Sequence, residues 1–232
     1  RGIGKGIALI FAQHGANIAF TYLSSDDKAK KLEQDLMSFG ITAKGFKSDA
    51  SSFGAAQEFA DSVMSHFGSI DVLVNNAGIA HAAASWKLSA KEMEQLFQVN
   101  FFSAVRCTSK ALPLMRVQEI GRIINISSVV AHKPSFGTSG YAATKCALEG
   151  YARGIAVDVA NKGITANTIA YGYMEAGMLY DVPKPMLEEI KKTIPAGRFG
   201  EATQIGHTID YLIKSPFTTG QTIHLNGGQW MP

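Results

Sequence analysis

Tyr141 and Lys145 close the segment Tyr-Ala-Ala-Thr-Lys, and Ser128 lies upstream at the end of an apolar run. Residues four apart share a helix face, so a helix here brings the phenol and the ammonium into one site. A free tyrosine titrates near pH ~10 and exchanges protons poorly at neutrality. A neighbouring cation favours the phenolate and lowers that value, each unit being worth about 1.4 kcal/mol. The Ser128 hydroxyl would hold a substrate oxygen while Tyr141 gives or takes its proton. The implied chemistry is the interconversion of a carbonyl and an alcohol. Spacing alone does not decide the matter, because the chain has 7 tyrosines and such pairs also occur as plain helix-surface neighbours.

Three further motifs bear on chemistry. Arg1-Gly2-Ile3-Gly4 opens directly into a helical pattern. Glycines at a helix start let the backbone approach a phosphate, which the free N–H groups and the helix dipole attract; the same residues also make an ordinary tight turn. Asn75-Asn76-Ala77-Gly78 ends the apolar run from Asp71 to Val74. Small residues at the carboxyl end of a central strand leave room for a ligand, although Asn-Ala-Gly is also a good turn after any strand. Asn100 falls inside a long helical pattern, where Asn competes for backbone hydrogen bonds and commonly serves a local kink.

The elements that must position these residues alternate between short β-type runs and helical patterns, as in a parallel sheet covered on both faces. Ile7 and Phe11 give the first helix its apolar side, closed by Gly15, and residues 17–22 read as a strand. Asp26 and Asp27 open a helix carrying Ala29, Leu32 and Leu36, which Gly40 stops; residues 43–48 form a strand. Phe59, Val63 and Phe67 mark the next helix, followed by a strand over 70–74. Ser89 and Glu92 form a capping box for a long helix reaching about Met115. Strands are expected over 122–126, 164–169 and 221–225, and helices over 139–160 and 201–212. The Met- and Pro-containing stretch 171–198 interrupts the alternation as a substrate loop. The fold class is therefore α/β, a doubly wound parallel sheet of about seven strands in a single domain spanning 1–232.

Composition narrows the function classes. With 232 residues, 46% hydrophobic and 18% charged, the chain is globular rather than disordered. A net charge of +3 without basic–aromatic clustering argues against nucleic acid. Cys107 and Cys146 have neither metal-ligand spacing nor a disulfide framework, so no metal is expected and a reduced, intracellular chain is the simplest reading. No apolar run reaches the ~18 residues of a membrane span. A cytoplasmic location is expected, with a targeting segment upstream of Arg1 left open.

Taken together, the motifs resemble the short-chain dehydrogenase/reductase family over essentially the whole chain. The matches are Arg1-Gly2-Ile3-Gly4, Asp49, Asn75-Asn76-Ala77-Gly78, Asn100, Ser128, Tyr141, Lys145 and Asn226-Gly227-Gly228. The resemblance implies that Gly2 and Gly4 are the last two glycines of the dinucleotide turn. It implies that Asp49 hydrogen-bonds the adenine amine, and that Asn76, Ala77 and Gly78 line the ribose and nicotinamide path. Tyr141 would be the general acid, Ser128 would position the carbonyl oxygen, and Asn100 would hold a water of the proton relay. Lys145 would bind the nicotinamide ribose hydroxyls and keep the Tyr141 pKa low. Arg1, Ile3, Ser24, Ala50, Gly172 and Met174 complete the expected cofactor contacts.

NADPH is the expected cofactor. NAD selectivity usually requires a carboxylate after the second strand, yet Tyr22 is followed by Leu23-Ser24-Ser25 with none until Asp26. Arg1 in the glycine turn suits a 2′-phosphate. Within the family, residues 121–130, 195–198 and 225–231 most resemble reductases of 3-oxoacyl thioesters. Such enzymes act on acyl-carrier protein or coenzyme A esters and are typically homotetramers, and the resemblance implies that the helices at 89–115 and 139–160 would supply the main dimer contact. Rival readings are a dehydrogenase of a sugar, steroid or quinone-like substrate, or a non-catalytic nucleotide-binding member. The chain departs from the family in three respects. The opening strand and first glycine would lie ahead of Arg1, Tyr171-Gly172 replaces Pro-Gly, and Ala176 replaces a Thr that contacts the carboxamide. Losing that hydroxyl would weaken cofactor orientation by about 1 kcal/mol.

Overall fold

The computed structural model describes residues 2–232. Helix α1 (Gly2–Gln13) leads to β1 (Ile18–Tyr22), α2 (Asp26–Met37), β2 (Ala43–Lys47), α3 (Ala55–Phe67) and β3 (Val72–Asn75). Then come α4 (Ala90–Phe97), α5 (Ser103–Gln118), β4 (Gly121–Ile126), α6 (Ser139–Val159), β5 (Ile164–Tyr171), α7 (Lys184–Lys192), α8 (Ala202–Lys214) and β6 (Thr222–Leu225). All strand pairs are parallel.

The pattern of β4 and β5 explains the layering. Both strands are buried along nearly their whole length, as in a sheet covered on both faces, with Arg122, Asn125, Thr165, Asn167 and Thr168 set among their apolar residues. Because successive side chains alternate, Ile124, Ile126 and Ile169 meet Ile205, Ile209 and Leu212 of α8 and Ile7 of α1 on one face. Ile123, Ile164 and Ala166 meet Met115 of α5 and Ile155 and Val159 of α6 on the other. Each fully buried Ile contributes roughly 1.5–3 kcal/mol. These two clusters clamp the strand ends from which the site is built.

Among the described residues six strands form two sheets, β1-β2 and β3-β4-β5-β6, instead of one sheet of about seven. No strand among them joins β1 to β3. A cleft of about 560 Å³ lies between the two, lined by Ile18 and Phe20 on one side and Val72 and Val74 on the other.

Most element bounds agree with the sequence reading to within two residues. The expected long helix from Ser89 is the main exception. Its start has both halves of the capping box, with Ser89 and Glu92 bonded reciprocally. A π-helical turn at Gln98–Phe102 then separates α4 from α5, and the kink expected of Asn100 falls inside it. Strand β5 runs two residues past its expected end, to Tyr171. The stretch 171–198 contains a 3₁₀ turn at Gly177–Asp181 and the short helix α7.

Candidate functional site

Helix α6 carries Tyr141 and Lys145, and the segment just beyond β4 carries Ser128. All three are buried. The Lys145 ammonium donates to the Ile126 carbonyl at 2.8 Å, tying α6 to the end of β4. It also lies over the Tyr141 ring, 5.6 Å from its centre. Lys145 is only 3% exposed, and this burial lowers its pKa to about 8. The expectation that the cation would lower the Tyr141 pKa is corrected here. Burial holds that phenol well above its ordinary value, and the Tyr171 phenol pushes it the same way, against a hydrogen bond from Ser128 that lowers it. Desolvation of the phenolate outweighs the effect of a cation that sits over the ring face and is engaged by a backbone carbonyl.

Asn100 is 1% exposed, and all of its amide functions are in use. Its Oδ1 accepts from the Ile79 N–H at 2.8 Å, while its Nδ2 donates to the Ile79 carbonyl at 2.9 Å and the Thr144 hydroxyl at 3.1 Å. Thr144 in turn donates to the Tyr141 carbonyl at 2.7 Å. The π turn thus delivers an amide that fixes the loop after β3 and braces the helix bearing Tyr141. A Cβ on Gly78 would stand 3.5 Å from Asn100 Oδ1 and 3.6 Å from Lys145 Nζ. The Asn75–Gly78 motif and the Tyr141/Lys145 pair therefore share one site.

Of the other residues expected to bind a dinucleotide, Gly4 is the one brought against the Asn75–Gly78 loop. Gly4, in the first turn of α1, faces Asn76 so closely that a Cβ would lie 2.9 Å from its Nδ2. Gly2 has φ +62° and lies against Gly177, so a side chain there would be strained. Ile3 packs on the α1–α8 core. Asp49 is exposed, and its Oδ1 accepts from the Ser51 N–H at 2.9 Å and hydroxyl at 2.7 Å, which hold its carboxyl below the usual range. The Ala50 carbonyl accepts from Arg106 at 3.2 Å. Ser24 is exposed after β1, and Ala77 is exposed after β3. Met174 is buried and bridged to Gly200, whereas Gly172 is buried against Asn226 and donates to the Leu225 carbonyl at 2.9 Å. Arg1 lies outside the described residues.

Sequence reasoning named Asn75 but missed the partners it holds beneath the site and the group around Glu149. Asn75 donates to Asn125 Oδ1 at 2.9 Å and to Thr108 at 3.2 Å across the buried strand ends. Parallel register sets this network, since Asn75 pairs with Asn125. Ser127 donates to buried Glu149 at 2.7 Å, and His132 Nε2 lies 3.0 Å from the same carboxylate. The available signal was polar residues embedded in otherwise apolar strand runs.

The comparisons agree with this geometry. A family model described as Enoyl-(Acyl carrier protein) reductase matches residues 1–229. The 3-oxoacyl-[acyl-carrier-protein] reductase FabG of Staphylococcus epidermidis is 35% identical, covering 100% of this chain and 96% of the relative. The protein of that name from Salmonella typhimurium is 32% identical, covering 100% and 94%. A solved mutant of a Serratia marcescens short-chain dehydrogenase/reductase superposes with a TM-score of 0.93 at 31% identity, covering 99% of this chain and 94% of that one. With its α/β layers and the Ser128, Tyr141 and Lys145 cluster, the chain belongs to the short-chain dehydrogenase/reductase family of oxidoreductases.

Proposed function

We propose that the chain reduces a 3-oxoacyl thioester, carried on acyl-carrier protein or coenzyme A, to the 3-hydroxyacyl thioester with NADPH. The observation that carries this reading is the meeting of the Tyr141 phenol with Ser128 and Lys145 beside Gly78. The residues also fit a dinucleotide. The start of α1 offers free N–H groups to a phosphate, and the absence of a side chain at Gly4 lets the Asn76 amide approach that turn. Asp49 keeps Oδ2 available for the adenine amine, because Ser51 engages Oδ1. The NADPH preference is supported at Asp26, the first carboxylate after β1, which is paired with Lys47 at 3.0 Å and so poorly placed to hold a free 2′-hydroxyl.

When bound, the nicotinamide supplies a hydride to the carbonyl carbon. Ser128 then holds the carbonyl oxygen, and Tyr141 gives it a proton. Burial favours this role, since a phenol held well above its ordinary value keeps its proton until the alkoxide forms. Lys145 holds the ribose hydroxyls, and Asn100 keeps the loop at Ile79 in place. The stretch 171–198 serves as the substrate loop of a single domain over 1–232. Val117 and Val157, exposed on α5 and α6, support association of these helices into a homotetramer.

The test follows NADPH oxidation with acetoacetyl-CoA, a longer 3-oxoacyl-carrier-protein and the corresponding enoyl thioester. Turnover of the 3-oxo substrates with little on the enoyl one supports the reading. Turnover confined to the enoyl thioester, or to unrelated ketones, overturns it.

A further inference from the structure

Resting on the reductase reading, Ser128 and Tyr141 act on one substrate oxygen, so the spacing between the segments that carry them matters. Ser128 has extended backbone just beyond β4 and leads into a 3₁₀ turn over Val129–Ala131. The turn closes on itself: the Ala131 N–H donates to the Ser128 carbonyl and the His132 N–H to the Val129 carbonyl, both at 3.0 Å. Val129 and Val130 pack on Tyr141 and Ala142 of α6. Apolar packing is non-directional, so it presses the turn onto the helix without fixing its orientation there.

The direction comes from Glu149, one turn beyond Lys145 on α6 and only 4% exposed. Its Oε1 accepts from the Ser127 hydroxyl at 2.7 Å and from His132 Nε2 at 3.0 Å. An ionised carboxylate only accepts, which places a proton on His132 Nε2. Ser127 and His132 bracket Ser128 in the chain, so one carboxylate grips both ends of the turn. The His132 ring is itself held, stacked on Trp230 at 4.3 Å between centres and edge-on to His224 of β6 at 4.8 Å. The Cys146 thiol, also on α6, adds a weak bond to the Ala131 carbonyl at 3.2 Å. Lys145 already ties the end of β4 to this helix through the Ile126 carbonyl. Glu149 does the same for the turn that follows.

We propose that Glu149 is a positioning residue for the reduction: by binding Ser127 and His132 it sets the Ser128 turn on α6, and with it the distance from the Ser128 hydroxyl to the Tyr141 phenol. A buried carboxylate is costly, and an apolar side chain of similar size would avoid that cost. What the carboxylate adds is a directional hold that packing does not supply. Its effect on turnover runs through Ser128 alone.

Steady-state kinetics with NADPH and acetoacetyl-CoA test this. Glu149→Leu fills similar space and removes both bonds; kcat is expected to fall roughly tenfold, with the NADPH Kd within about twofold of wild type. Glu149→Gln, whose amide oxygen still accepts both bonds, should hold kcat within about threefold of wild type. In a Ser128→Ala background, Glu149→Leu should change the residual kcat by less than about twofold, because the group it positions is gone. A role confined to stability would give the same loss in both backgrounds. Where circular dichroism shows that Glu149→Leu does not fold, His132→Phe keeps the stacked ring, removes the Nε2 donor and takes its place in the cycle, with an expected fall of roughly threefold. A kcat within about twofold of wild type in the folded variant, or an equal loss with and without the Ser128 hydroxyl, overturns the proposal and leaves the reductase reading intact. A wild type that reduces other ketones but no 3-oxoacyl thioester overturns that reading alone, and the same cycle on the ketone turned over then decides on Glu149. A wild type that binds NADPH but reduces no carbonyl overturns both.

Discussion

Lys145 is the residue at which sequence and structure diverge most usefully. The Tyr141/Lys145 spacing identified the pair, but it did not show that the ammonium is buried, bonded to Ile126 and lowered to about 8. That contact joins residues 19 apart, beyond any local pattern. It leads to a pH prediction. Protonated below about 8, the ammonium can donate to ribose hydroxyls; above that value it loses its charge. NADPH affinity, followed by fluorescence titration, should weaken as pH rises through about 8 in the wild type and stay flat in Lys145→Met. Stability carries the opposite sign. Between about 8 and 10.5 the folded state binds fewer protons at Lys145 than the unfolded chain, so this group's contribution to stability rises with pH across that window. Denaturant midpoints measured across it should show the rise in the wild type and lose it in Lys145→Met.

At the scale of elements, the helix interrupted at Asn100 shows what a sequence can and cannot reveal. The Ser89–Glu92 capping box was legible because both partners lie three residues apart. The kink was legible from Asn being a poor mid-helix residue. The Asn100 contact with Ile79 was not, because that partner lies 21 residues away on another element. Asn100→Ala would leave the Ile79 N–H and carbonyl without their partner. A loss of about 2–3 kcal/mol in chemical denaturation is expected, with kcat falling as the brace through Thr144 to Tyr141 is lost. A stability change below about 0.5 kcal/mol would show that water replaces the amide at no cost.

Across the whole molecule, the layered parallel architecture was readable because short β-type runs alternate with helical patterns along the chain, and β4 and β5 are indeed buried along nearly their whole length. Among the described residues no helix is long and apolar enough to cross a membrane. Val157 is 86% exposed on α6, an apolar side chain suited to burial against a second copy. Light scattering of the wild type should give four chain masses, and Val157→Asp should shift the population to smaller species. A wild type that stays monomeric at micromolar concentration would contradict the assembly.

The central claim is that Tyr141 gives the proton in an NADPH-dependent reduction of a 3-oxoacyl thioester. It is tested most directly by the steady-state rate of NADPH oxidation with acetoacetyl-CoA in the wild type and in Tyr141→Phe, which keeps the ring and removes only the acid. The account predicts measurable wild-type turnover and a fall in kcat of roughly 100-fold or more, with NADPH binding retained. A kcat within a few-fold of wild type would contradict it.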